Sequence, residues 1–334
     1  MPPKDVDPRH AIDLLLSQLD KLHSSPTIAL RVIELTKDPQ FEMAEVVACL
    51  EHDPALAASV LRLVNSSYYG LAQSITSLQH ALAYLGRRSL RLTMLSFGLV
   101  KTLVNGVPAQ CHEIYWKRSL TMAAAARKCA EIVGNRNAEA ETAFAAGLLA
   151  DLGMLVMFQL ETEKYVELPF ESDHLVELVK QEREVFGFDH LAVSQRLLTK
   201  WRLPAELIEA VANHHTYLPA SAPLNHILLV ANLLAEVLWM PHSPYMQPLQ
   251  QVLSRQLGME VDDLITLAVE CKEAVLQSME IFDVHLEGDI DLEALEQQAR
   301  QQFELAHLET ADERNCLEAF LDEIEAPVGE CFET

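Results

Sequence analysis

The chain is short of the features that mark several large classes of protein. Its six cysteines, at positions 49, 111, 129, 271, 316 and 331, form no CxxC pair and no tight cluster. That argues against a disulfide framework or a cysteine zinc site and points to a reduced, cytoplasmic chain. Glycine is scarce, 11 in 334 residues, and none of it builds a GxGxxG or Walker loop. HExxH and GxSxG are absent too, so nucleotide-binding, metalloprotease and serine-hydrolase signatures are missing. No basic start leads into a short apolar run, and a secretory signal is not expected. No receiver or other input module is evident, so a signal is expected to arrive by contact with a separate molecule. No segment alternates convincingly with period two, which leaves strands without support.

Positive charge is also in short supply. The net charge is −24, and it is unevenly placed. Residues 259–334 carry 22 acidic and 3 basic side chains, a balance of −19, whereas residues 1–258 carry the other 27 and 22, a balance of −5. The body is close to neutral and the tail is an acidic appendage. Phosphate binding needs a concentrated basic face, so nucleic acid is not an expected partner. Ser74 to Thr93 superficially reads as a helix-turn-helix, because Arg87, Arg88 and Arg91 follow Gly86. That cluster is small, and its plainer reading is a solvated helix start.

What is present is helical. Half of the residues are apolar, enough to bury one large core or two modest ones. Asp7-Pro8, Ser25-Pro26 and Asp53-Pro54 each supply an N-cap followed by proline at the first helical position. Leu56, Val60, Leu63 and Val64 then fall on one helix face. Ser77 starts another, with Leu78, Ala81, Leu82 and Leu85 inward and Gly86 at its stop. Leu92, Leu95, Leu99 and Leu103 stripe a third, until Gly106 and Pro108 break it. The fold class this predicts is all-α, a packed helical array with short loops.

The longest apolar run is Thr142 to Leu160, with one carboxylate, Asp151, at its middle. A carboxylate at that depth is costly in lipid, so a core helix is expected rather than a membrane span. Buried there, Asp151 has to be paired, metal-bound or heavily hydrogen-bonded.

Several stretches resemble one known family. Gly147-Leu148-Leu149-Ala150-Asp151-Leu152-Gly153 resembles the GLLHDIG core of the HD phosphohydrolase superfamily, with Ala150 in place of its histidine. Ser25-Pro26-Thr27-Ile28-Ala29, His52-Asp53-Pro54-Ala55-Leu56-Ala57, Leu63-Val64-Asn65-Ser66-Ser67 and the run from Ile75 to Gly86 resemble successive signatures of one branch, the HDOD (HD-related output) domain, a bacterial signalling module. The resemblance covers about 19–218. It continues in Trp116-Lys117-Arg118-Ser119, in Glu182 to His190, in Trp201-Arg202-Leu203-Pro204, in Ala210 to His215 and in Leu229 to Ala235. Within it His52-Asp53 is a literal His-Asp pair, but the Asp precedes proline and an apolar period and reads as a helix cap.

The resemblance implies where a metal site would lie and what has become of it. Arg118 stands where the family pattern has the first ligand histidine, Ala150 where it has the second, and Asn232 where it has the closing aspartate; Asp151 alone remains. Arginine cannot ligate, alanine has no donor and asparagine is a weaker neutral oxygen. If the helices keep their packing, the Arg118 guanidinium is expected to sit where the metal sat and to pair with Asp151. His190, His214 and His215 complete the vestigial pocket. Together with Asp151 they offer an alternative reading as a divalent-metal site, against plainer readings as a residue following the Asp189 cap and as two helix-end histidines facing different ways. No catalytic residue, no metal and no cofactor is expected. The departure of His214-His215-Thr216-Tyr217-Leu218-Pro219 from the Gly-Tyr-Pro element of the related HD-GYP family also argues against a phosphodiesterase.

The expected layout is an N-terminal helix at 1–18, an HDOD domain at 19–218 (helical half 19–108, HD-like half 109–218), a closing helix at 219–240 and an acidic helical extension at 241–334. In the extension Leu264, Leu267, Ala268 and Cys271 mark one helix, and Leu292, Leu295, Ala299, Phe303 and Ala306 a second after Gly288. Leu317, Phe320, Leu321 and Ile324 mark a third. These helices either fold back on the body or serve as a detachable acidic surface for a protein partner. The function expected is a non-catalytic signalling or scaffolding protein that binds protein partners or a small ligand, without nucleic acid or membrane. The alternative is a residual metal-dependent phosphohydrolase acting on nucleotides. The oligomeric state is left open.

Overall fold

The structure, a computed structural model, describes residues 7–308 apart from 23–26, 37, 39, 67–68, 105–106, 135–136, 169, 171–174, 217–222 and 241. The Ser25-Pro26 cap, the Leu317–Ile324 stripe and the side chains of Arg87, Arg88 and Arg91 lie outside the described residues. The described elements are all helical, with no strand among them.

The amino-terminal half holds α1 (Pro8–Leu22), α2 (Thr27–Leu35), α3 (Met43–Leu50), α4 (Pro54–Val64), α5 (Leu78–Thr93) and α6 (Val100–Val104), with a π-helical turn at Met94–Leu99 between the last two. Asp53 caps α4, its Oδ1 accepting the Leu56 N–H at 3.0 Å, while His52 turns its Nδ1 to the Ala48 carbonyl. Gly86 takes φ 71° and ψ 172°, so α5 kinks there and resumes rather than stopping.

The second half holds α7 (Ala109–Gly134), α8 (Asn137–Leu149), α9 (Leu152–Leu160), α10 (Thr162–Tyr165), α11 (Leu175–Phe186), α12 (His190–Lys200), α13 (Ala205–Ala212) and α14 (Pro223–Trp239). The small residues Ala123 to Ala126 on α7 let α8 come within backbone contact. A Cβ on Gly147 would lie 2.6 Å from the Met122 carbonyl oxygen. Helix α14 is apolar on nearly every side and runs through the interior, which puts Asn225 and Asn232 among its buried residues.

The long apolar run is not one helix. It breaks between α8 and α9, and Asp151 sits in the break with φ −93° and ψ 19°. Side chains from two other helices take up the main-chain groups that a break leaves free. Tyr115 on α7 donates to the Leu148 carbonyl at 3.0 Å. Ser194 on α12 donates to the Ala150 carbonyl at 3.0 Å and accepts the Gly153 N–H at 2.8 Å. Ala140–Leu160 is long and apolar enough to cross a membrane, and 89% of its apolar window is buried inside this core.

The extension continues with α15 (Met246–Val252), a π-helical turn at Leu253–Leu257, α16 (Val261–Phe282) and α17 (Leu292–Leu308). Helix α16 lies on the body and buries Leu264, Leu267, Ala268, Cys271 and Val275. At its end Phe282 stacks on Phe97, with ring centroids 4.3 Å apart. Lys272 ties α16 to the stretch before α17, reaching the Ile290 carbonyl at 2.8 Å and Asp289 at 2.7 Å. As far as Leu308, the extension is folded back.

Candidate functional site

All six residues singled out from the sequence meet at the α8–α9 break. Asp151, at 0% exposure, presents its carboxylate to α7, α12 and the turn after α13. Arg118 on α7 donates from Nε to Asp151 Oδ2 at 2.8 Å and from Nη2 to Asn232 Oδ1 at 3.0 Å, and its Nη1 bonds Glu236. Its side chain is 12% exposed, so one cation at the rim of the pocket serves two acids and an amide. Burial works against ionised Asp151, but the guanidinium, followed by the His214 hydrogen bond, holds its carboxyl well below the usual range.

The histidines fill the other side. Helix α13 ends at Ala212, and His214 and His215 lie in the turn beyond it. They do not diverge as helical neighbours would: both rings face the pocket, with centroids 4.2 Å apart. His214 Nδ1 meets the Val211 carbonyl at 2.7 Å and Nε2 meets Asp151 Oδ1 at 3.1 Å. His190, just past the Asp189 cap that receives the Ala192 N–H, lies with Nε2 3.6 Å from the same Asp151 oxygen. Its Nδ1 is 2.7 Å from Glu182 Oε2, and Tyr165 donates to the other Glu182 oxygen.

The directions of these bonds follow from Arg118, which can only donate. Asn232 turns its oxygen to Arg118 and so its amide nitrogen to His215 Nδ1, 3.1 Å away. His215 Nδ1 is then an acceptor, and the ring proton sits on Nε2, 3.2 Å from His190 Nε2. His190 in turn donates from Nδ1 to Glu182. Burial, then His214, His190 and Arg118, push the His215 pKa well below 6.5, while Glu182 raises that of His190 against the effect of burial.

These opposite shifts have opposite signs in stability. His190 contributes stability that is complete below pH 6.5 and is lost as pH rises through its raised folded value. His215 contributes stability present above 6.5 and lost as pH falls from there toward its lowered value. His215→Gln is therefore expected to flatten the loss of stability between pH 6.5 and 5 by up to about 1.4 kcal/mol per pH unit. Denaturation midpoints across that range measure the slope, and an unchanged slope would contradict the neutral His215.

Asp151, His190, His214 and His215 each offer one donor atom, all within 4.8 Å of one another, and could hold a metal ion. The donor chemistry limits that use. His215 would have to move its proton to Nδ1, against the Asn232 amide, and Arg118 adds a positive charge beside the only carboxylate in the set. Sequence reading did not assign roles to Glu236, Glu182, Tyr165 or Ser194. Of these, Glu182 opens the Glu182 to His190 motif, and Glu236 lies one turn after Asn232 on the same helix face.

Fold and site together define an all-helical array in which an arginine on one helix faces a buried aspartate at the break between two others. The HDOD domain profile matches residues 22–217, and the chain belongs to the HDOD domain family. An HDOD domain protein of unknown function from Geobacter sulfurreducens has a similar structure, with TM-score 0.60 and 24% identity over 80% of this chain and 97% of that one. A candidate phosphohydrolase from Shewanella amazonensis SB2B also has TM-score 0.60, at 22% identity over 80% and 97%. A candidate signal transduction protein from Marinobacter aquaeolei VT8 has TM-score 0.56 at 22% identity; the match covers 77% of this chain and 59% of that one. No curated protein matches the chain.

Proposed function

We propose that the protein is a non-catalytic signalling or scaffolding protein of the bacterial cytoplasm that works by binding. Membership of the HDOD family supports the signalling role. The observation that carries the non-catalytic reading is the Arg118 fork onto Asp151, Asn232 and Glu236. A hydrolytic metal must lower the pKa of a bound water, and it needs several anionic or neutral donors to stay bound. Here a fixed cation neutralises the one central carboxylate, and the amide beside it sets His215 with its proton toward the would-be ion. Partners are proteins or a small ligand, met by grooves between helices or by the acidic face of the extension.

A second reading, a residual metal-dependent phosphohydrolase acting on nucleotides, is favoured by one observation. The 3.1, 3.2 and 3.6 Å separations among these donors resemble the roughly 3.3 Å between ligands of a tetrahedral ion bound at about 2.0–2.1 Å. Elemental analysis of protein purified without added ions, with a bis(p-nitrophenyl) phosphate assay in manganese, separates the two. The first reading expects substoichiometric metal and background hydrolysis. Stoichiometric metal together with hydrolysis abolished by Asp151→Asn would establish the second.

A further inference from the structure

On the other side of α7 from Arg118 lies a cavity of about 480 Å³, closed by the end of α16 and the stretch after it. Three aromatic rings line it. Phe97, carried on the π-helical turn Met94–Leu99, stacks on Phe282 with centroids 4.3 Å apart and 10° between planes, and Trp116 leans on Phe282 at 5.3 Å and 50°. π-Helical turns often mark functional sites. A smaller cavity of about 230 Å³ adjoins through the same two phenylalanines.

Its charged lining residues are acidic, the histidines apart. Glu113, Asp283 and Glu287 line it. Glu113 is paired with Lys117 at 2.6 Å, whereas neither Asp283 nor Glu287 is in an ion pair among the described residues. Asp283 holds φ 58°, a left-handed backbone in which glycine or asparagine is more at ease, and still presents a carboxylate there. Aromatic faces with carboxylates at their edge attract a cation twice, through the ring quadrupoles and through the acids, and repel an anion.

We propose that this cavity, at the seam between the HDOD body and the extension, binds an organic cation with an apolar body, an ammonium of the arylalkyl type. Its apolar part lies against Phe97, Trp116 and Phe282, and its charge faces Asp283 and Glu287. Because Phe282 and Asp283 end α16, such a ligand bridges body and extension. The site goes beyond the reading of the Arg118 pocket and is spatially separate from it, so the two fail independently.

The test is titration of the full chain by calorimetry, and by the fluorescence of Trp116 against a Trp116→Phe control, with three probes of one shape class: benzyltrimethylammonium, benzyl alcohol and phenylacetate. Saturable binding of the cation is expected, about tenfold or more tighter than of the neutral or anionic probe. Asp283→Asn and Glu287→Gln, both exposed changes, are expected to weaken the cation several-fold each without lowering the melting temperature. Phe282→Leu keeps the helix end apolar and is expected to weaken it further. No saturable binding, equal affinity for the three probes, or indifference to the two carboxylate changes would overturn the proposal.

Discussion

Arg118→Met is expected to lower folding stability by about 3–5 kcal/mol at neutral pH, read from denaturant unfolding, because removing one partner of a buried pair strands the other. Here it takes the cation from two acids: Asp151, fully buried, and Glu236, whose side chain is 11% exposed. Asp151→Asn is expected to cost less, since Arg118 then keeps Glu236 and Asn232. The double variant Arg118→Met/Asp151→Asn is expected to be more stable than Arg118→Met alone, a coupling that only a direct interaction produces. The deficit of Arg118→Met is also expected to shrink in acid. Asp151 in the folded protein titrates well below 3.8, so its contribution is present above that value and lost as pH falls through the folded one. In the variant its pKa rises and there is less left to lose. An Arg118→Met protein that unfolds at the parent midpoint would show that something else balances Asp151.

Gly153→Ala is expected to cost about 3 kcal/mol or more, against the direction of helix propensity. Alanine in a helix is favoured over glycine by about 1 kcal/mol, so a surface glycine in α9 would give the opposite sign. The Cβ of residue 153 would fall 2.1 Å from the His190 carbonyl oxygen and 2.9 Å from His190 Cα, both backbone atoms that no rotamer change can move aside. Overpacking of this kind is met by shifting one helix off another. The shift would part α9 from α12, loosen the Gly153–Ser194–Ala150 link and draw His190 away from Asp151. Proton NMR titration of the His190 ring, displaced from its raised value, is the accompanying readout. Unchanged stability would mean that α9 and α12 do not approach this closely.

Much of the fold was legible because it is local. The Asp53 cap needed only Asp-Pro and an apolar period after it, and Asp189 only its place before such a period; both accept the N–H three residues on. The six pocket residues could be named from motif resemblance, with Arg118 set opposite Asp151. The break at Asp151 was not legible. Its surroundings are apolar in both directions, and the break is held by Tyr115 and Ser194, which lie 33 residues or more away along the chain. The convergence of His214 and His215 was misread for a related reason. Helical geometry separates adjacent side chains, but α13 stops at Ala212 and a turn brings both rings to one side.

What the sequence by itself determined is the all-helical class, the punctuation of several helices and the identity of the groups in the pocket, since capping, periodicity and motif resemblance are properties of short stretches. Only the tertiary structure decided how those groups pair. Glu236 shares Arg118 with Asp151, Asn232 sets the tautomer of His215, and Glu182 holds His190. Each pairing joins separate helices or turns, and the polarity of such a network depends on which donor faces which acceptor across the packed core.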